Sequence, residues 1–248
     1  MKKADIGHHI SQKYNQELED VRNKVLYMGG LVEQQLADAV LALTNMDSAI
    51  AEVVVTNDYK INRLEVEIDD ECIHILARRQ PAASDLRLLM AVIKTITDLE
   101  RIGDEAERVG RMALRFIDGG SSTKDTRPLM GIGHFGDHVR RMLHDALDAF
   151  ARMDVHAAAQ TVREDLKVDQ EYEGILRQLM TYMMEDPRSI PRVIGVMWSA
   201  RALERIGDRA RNICEYVIYL VGGKDIRHIS LEQVEQGLRE DSERMKDK

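Results

Sequence analysis

The chain has 248 residues, 44% of them hydrophobic, and carries 35 Lys and Arg against 43 Asp and Glu, a formal net charge of -8. That is enough apolar material for one large or two small cores, and the acidic balance without a basic block speaks against nucleic acid as a partner. Two cysteines, no uncharged apolar run near ~18 residues and no apolar region after the first charges lead to the expectation of a reduced, cytoplasmic protein without its own membrane anchor. Aromatics at 4%, only 4 Pro and 13 Met favour long amphipathic helices over strands, so the expected class is all-α.

In chain order, the first helix is expected from about Ser11 to Asn45, on the stripe Leu18, Val21, Val25, Met28, Val32, Leu36, Ala39, Leu43. Gly29 and Gly30 within it read as a kink or, preferably, a close helix approach. Asp47 or Ser48 caps a second helix that runs to Arg79 and stops before Pro81. Ser84 or Asp85 is expected to cap a third, which ends at the Gly/Ser stretch from Asp118 to Thr123. The plan then repeats: one helix from about Arg127 to Met153, one from Val155 to Glu185, and one from Ser189 to Leu220, closed by Gly222 and Gly223.

The repeat shows in residues as well as in lengths, because LERIGD at Leu99 to Asp104 recurs at Leu203 to Asp208. The expectation is two similar tandem three-helix bundles, six long helices in all, spanning 1–120 and 121–229. A charged C-terminal tail, 230–248, has a thin apolar stripe at Leu231, Val234 and Leu238 and reads as a short, marginal helix.

The chemistry-bearing pattern lies in carboxylates. Glu100 and Asp104, and again Glu204 and Asp208, stand one turn apart on one helix face. The preceding helix of each bundle carries Asp58 with Asn62 and Asp165 with Asp169 at the same spacing. In an antiparallel hairpin, residues at one height have constant position sums. Asp58 with Asp104 and Asn62 with Glu100 share one sum; Asp165 with Asp208 and Asp169 with Glu204 share another, and both centres fall at the expected turns. Oxygen-bearing side chains so gathered must take up protons, recruit arginines or bind a cation, and an all-oxygen set suits Mg, Mn or iron. Asn62 makes the first set one charge poorer, while Asn212, one turn past Asp208, could add an oxygen to the second. The competing reading is that these acids are solvated and paired with Arg101, Arg108, Arg205 and Arg211.

Other motifs are weak. Glu71 and His74 form a single Glu-x-x-His where a di-iron bundle needs two. His134 and His138 read as two exposed histidines rather than a metal pair. No Gly-rich phosphate loop occurs, and Cys72 and Cys214 sit in apolar helical patterns as core residues rather than nucleophiles.

The two LERIGD copies, RQPAASDLR at Arg79 to Arg87, VDQEYEGILRQLMTYMMED at Val168 to Asp186 and YMGGLVEQQL at Tyr27 to Leu36 resemble the PhoU family of phosphate-transport accessory proteins. The resemblance covers nearly the whole chain. It implies two three-helix bundles whose E(D)xxxD motifs bind metal ions or clusters, and a dimer. Glu100 to Asp104, Glu204 to Asp208 and Asp165 to Asp169 fit that motif, and Asp58 to Asn62 departs from it at the second member. It further implies a negative regulator of the phosphate-starvation response that links the phosphate ABC transporter's ATPase subunit to a sensor histidine kinase and restrains phosphate uptake. This is an adaptor rather than an enzyme. Two alternatives stand beside it: a metal-dependent phosphate-handling enzyme using the carboxylate clusters, and a helical scaffold that binds no metal.

Overall fold

A computed structural model of the chain describes residues 12–119 and 127–223. The described residues form helices α1 (Gln12–Asn45), α2 (Ser48–Asn57), α3 (Tyr59–Arg79), α4 (Ala83–Asp118), α5 (Ile132–Arg152), α6 (Val155–Glu185) and α7 (Ile190–Gly222), with short 3-10 turns before α5 and α7. Among them there is no strand, and the protein is all-α. The tail from Ser230, with its expected stripe, and the stretch from Gly120 to Thr123 lie outside the described residues.

Each helix begins and ends for a local reason. Asp47 and Asp154 accept hydrogen bonds from the free first-turn amides of α2 and α6. Left-handed residues stop α3 at Gln80, α5 at Met153 and α7 at Gly223. The third expected helix differs at its start: the boundary residue is Ala82, and Asp85 lies inside the first turn. Its carboxylate is buried and turned to accept a hydrogen bond from the Tyr14 hydroxyl at 3.2 Å, so a tertiary partner replaces the capping role. Similarly, Arg127–Leu129 is a 3-10 turn and the continuous α5 begins only at Ile132.

The second expected rod is built as α2 and α3, which follow one another directly through Asp58. Asp58 keeps helical dihedrals, but the Ile61 amide bonds its carbonyl at 2.9 Å, a locally tightened turn. Its side chain accepts from Asn62 Nδ2 and from Gln35 Nε2 on α1, each at 3.0 Å. Local bonds of this kind compete with a regular helix.

α1, α2, α3 and α4 pack as one bundle and α5, α6 and α7 as a second, and one apolar cluster runs through both. The bundles meet where α4 lies along α7 and α1 along α5. Glycines permit the second contact. A Cβ on Gly29 would come 2.6 Å from Leu147 Cδ2, and one on Gly136 would come 2.5 Å from Val40 Cγ2. α1 runs unbroken through Gly29 and Gly30, so close approach rather than a kink explains Gly29, while Gly30 faces open space.

Candidate functional site

The α3/α4 hairpin brings the first set of acids to one level. Gly103 supplies the gap: a Cβ there would lie 3.2 Å from Asp58 Oδ1 and 3.2 Å from Gln35 Oε1. Glu100 and Asp104 flank that glycine on the same turn of α4. Burial raises the Glu100 carboxyl above its ordinary value, followed by the charges of Asp104, Glu65 and Asp58. Asp104 is raised by burial and then by Asp58. These mutual influences place Asp58, Glu100 and Asp104 within one electrostatic neighbourhood, with Asn62 tied to Asp58 beside them.

Sequence reasoning missed two members. Gln35 reaches in from α1, and nothing in the hairpin pattern points to a third helix. Glu65 was accessible, because it shares the position sum of Asp58 and Asp104 with Thr97, and it is raised by burial while Thr97 hydrogen-bonds it.

The α6/α7 hairpin repeats the arrangement. Burial raises Asp165, against the pull of Arg211 and with the push of Asp169 and Asp208. Glu204 is raised by burial, then by Asp208, with Asp169 and Asp165 also contributing. Here an arginine enters: Arg211 Nη1 donates to Asp165 Oδ2 at 2.6 Å and stands 3.9 Å from Asp208 Oδ1. Arg201 pairs with Glu204 at 2.5 Å. Asn212 is half-buried one turn beyond Asp208.

The pairing of acids with arginines is therefore uneven. Arg211 takes the expected role, but Arg108 and Arg205 both bond Glu105 instead, at 3.1 and 2.8 Å. Arg101 lowers the Glu100 carboxyl through its charge. Both sets also hold buried acceptor oxygens with no hydrogen-bond partner: Gln35 Oε1 and Asn62 Oδ1 in the first, Asp165 Oδ1 and Glu204 Oε2 in the second. Lone pairs buried without a donor are costly, and a cation satisfies them. These oxygen donors are of the kind a hard, oxygen-preferring ion takes. Among the described residues no three His, Cys, Asp or Glu side chains converge on one ion position; Asp208 is half-exposed and Asp169 exposed.

The remaining motifs resolve into structure. Glu71 pairs with Lys24, which also reaches Glu67 at 2.7 Å, and His74 Nδ1 lies 2.7 Å from the Asp70 carbonyl oxygen. His134 is exposed as expected, whereas His138 is not, and both rings meet one carboxylate. Their Nδ1 atoms lie 2.7 and 2.8 Å from the two oxygens of Glu171, and His138 Nε2 is 3.1 Å from Glu164. His138 is largely buried in doing so. Cys72 and Cys214 are buried, and burial pushes the Cys72 thiol up to about 12 and Cys214 higher still, which removes both as thiolates at neutral pH.

A duplicated all-α bundle pair with one oxygen-rich carboxylate cluster in each half defines the class. The PhoU domain model matches residues 25–113 and 132–217, one segment in each bundle. The chain is 54% identical over 232 residues, 94% of its own length and 90% of the relative's, to the phosphate-specific transport system accessory protein PhoU homolog of Pseudomonas putida. The crystal structure of PhoU from Pseudomonas aeruginosa superposes with a TM-score of 0.81 at 54% identity, covering 85% of this chain and 100% of that one. The phosphate transport system regulatory protein PhoU from Streptococcus pneumoniae gives 0.77 at 28% identity, over 86% and 98%. The chain belongs to the PhoU family.

Proposed function

We propose that this protein is a negative regulator of the phosphate-starvation response, an adaptor that links the ATPase subunit of a phosphate ABC transporter to a sensor histidine kinase and restrains phosphate uptake. The observation that carries this reading is similarity over 94% of the chain to a relative named as an accessory protein of phosphate-specific transport. No described helix is long and apolar enough to cross a membrane, which suits a role reached through membrane-bound partners. The adaptor works in the cytoplasm as a homodimer and has no turnover of its own.

Mg, Mn or iron ions, singly or clustered, belong to this reading. Asp58, Asn62, Glu100 and Asp104 would hold ions in the first hairpin, and Asp165, Asp169, Glu204, Asp208 and Asn212 in the second. Bound there, an ion supplies positive charge that ties two helices of one bundle together and shapes the surface between them. What supports it is the pairing of buried, unpartnered oxygens with carboxyls raised by burial and mutual repulsion.

The test is to delete the gene in its host and measure alkaline phosphatase in abundant phosphate. Deletion should raise the enzyme and the intact gene should silence it. A folded variant carrying Glu100→Gln, Asp104→Asn, Glu204→Gln and Asp208→Asn should fail to silence it if the clusters take part in signalling. Unchanged phosphatase on deletion would overturn the regulatory role, and metal-dependent phosphate-ester hydrolysis by the purified protein would replace it with the enzyme reading.

A further inference from the structure

α4 and α7 cross antiparallel, and along one side of their contact they leave a long groove, one of whose arginines, Arg201, also pairs with Glu204 of the second carboxylate hairpin. Gly195 sets its floor: a Cβ there would meet the Phe116 ring at 2.6 Å and Met112 Sδ at 2.9 Å, so the helices close up and the side chains beyond them splay. Two cavities of about 310 and 480 Å³ run into each other through Met112, Arg115 and Trp198.

The lining is arginine. α4 contributes Arg108, Arg111 and Arg115 on one stripe, and α7 contributes Arg192, Arg201 and Arg205 on the facing stripe. Arg188 stands at one end, and the only acids in either lining among the described residues are Glu105 and Asp186. This is a concentrated positive strip on a chain whose formal net charge is -8. Among the described residues the lining holds no lysine. Arginine is the residue whose planar, weakly hydrated fork matches carboxylate geometry.

Several of the guanidiniums are already held in place. Arg108 and Arg205 share the buried Glu105, Arg192 lies over the Phe116 ring at 5.3 Å, and Arg111 bonds Glu107 at 2.6 Å. One carboxylate between two arginines leaves positive charge over. Arg115 has no ion pair among the described residues. Between the stripes stands Trp198, the chain's single tryptophan, 60% exposed although it is flanked by this charge. Exposed Trp with Arg around it is the composition of a binding hot spot, in which the ring anchors an apolar side chain and the forks take carboxylates.

We propose that the α4/α7 groove is a docking site for an acidic polypeptide segment of a partner protein, carrying an aliphatic residue that seats on Trp198 between carboxylates that pair with the arginines. Length decides between this occupant and a simple anion. Arg192 to Arg205 spans about 20 Å at 1.5 Å per residue, several times a phosphate and equal to about six extended residues or nearly four helical turns. Charge complementarity favours an acidic segment, and the exposed Trp198 ring between the arginines suits its aliphatic residue. The groove's chemistry does not depend on the regulatory role above.

The single tryptophan makes the site its own reporter. The full chain is titrated with a synthetic peptide of about ten residues, Glu and Asp with Leu at every third or fourth position, while tryptophan emission and the anisotropy of the labelled peptide are followed. Saturable binding with a blue-shifted Trp198 emission is expected, weakening with salt. Arg111→Glu with Arg115→Glu should weaken it about tenfold or more while helicity is unchanged, and Arg177→Glu, on the exposed face of α6, should not. A Glu-to-Gln peptide should not bind. Equal loss in the Arg177→Glu control, no saturation, displacement by inorganic phosphate alone, or preference for single-stranded DNA of matching length would each overturn the docking site. Affinity that rises when residues 230–248 are deleted, with the peptide unable to bind before, would assign the groove to the chain's own acidic end instead of a partner.

Discussion

Asp98 on α4 receives Arg209 Nη1 at 3.0 Å and the Tyr216 hydroxyl at 2.8 Å, both from α7, and so joins the two bundles through a carboxylate whose side chain is only 4% exposed. Removing one member of a buried pair leaves the other charge uncompensated. Asp98→Ala should cost about 3 kcal/mol, at the lower edge of that range because Arg209 still reaches water. Tyr216→Phe deletes one hydrogen bond and should cost about 1 kcal/mol or more. Denaturant unfolding of both variants checks this; equal and negligible losses would show that α4 and α7 are held by apolar packing alone.

The glycines of the α1/α5 contact make opposite predictions from the same substitution. Gly136→Ala drives a methyl into the branched, rotamer-restricted Val40, whose Cβ is itself within 3.2 Å, and should destabilise by about 1–3 kcal/mol. Gly30→Ala meets nothing within 4 Å in the interior of α1 and should stabilise by up to about 1 kcal/mol through helix propensity. Thermal unfolding of the two variants should therefore move in opposite directions.

The difference between these two glycines also marks how far the sequence could be read. Helix length and the buried stripes follow from periodicity within one segment, and the hairpin register follows from turn positions. That is why the sequence sets Asp58 and Asp104, or Asp165 and Asp208, at one level, and in the structure the charge of Asp58 acts on Asp104 and that of Asp208 on Asp165. Whatever passes between helices that are not neighbours in a hairpin was not legible. Gln35 reaching Asp58 depends on how α1 leans on the α3/α4 pair, and Asp98 meeting Arg209 depends on how the repeats face each other. Asp85 failed as a cap for the same reason, since its partner Tyr14 lies on α1.

That Tyr14 contact has a pH signature. Burial first, and then the adjoining Asp85 carboxylate that accepts its hydrogen bond, pushes the Tyr14 phenol up to about 12, from an ordinary 10.0. A phenol raised on folding favours the protonated form in the native state. Its stabilisation is complete below about 10 and is lost as pH rises through about 12. The phenolate absorbance of the native protein minus that of Tyr14→Phe should show one tyrosine ionising near that upper value. A difference curve centred at the ordinary value would mean that the hydroxyl faces water.

The two carboxylate clusters should respond differently to one arginine. In the first hairpin Glu65 makes good the charge lost at Asn62, whereas in the second Arg211 already neutralises Asp165 and stands near Asp208. Before a cation can use Asp165, that guanidinium must give way. Arg211→Gln should therefore raise Mn affinity at the second cluster about tenfold, or about 1.4 kcal/mol, whereas Glu204→Gln with Asp208→Asn should abolish binding there and leave the first cluster intact. Calorimetric titration of the metal-free protein with Mn separates the two sites, and unfolding with the metal in hundredfold excess over its Kd should show about 2.7 kcal/mol of stabilisation per site. If Arg211→Gln weakens binding instead, the arginine organises the cluster rather than competing for it. If neither cluster binds Mn, Mg or iron, the buried oxygens are satisfied by water and protons, and the duplicated acids serve another purpose than holding a metal.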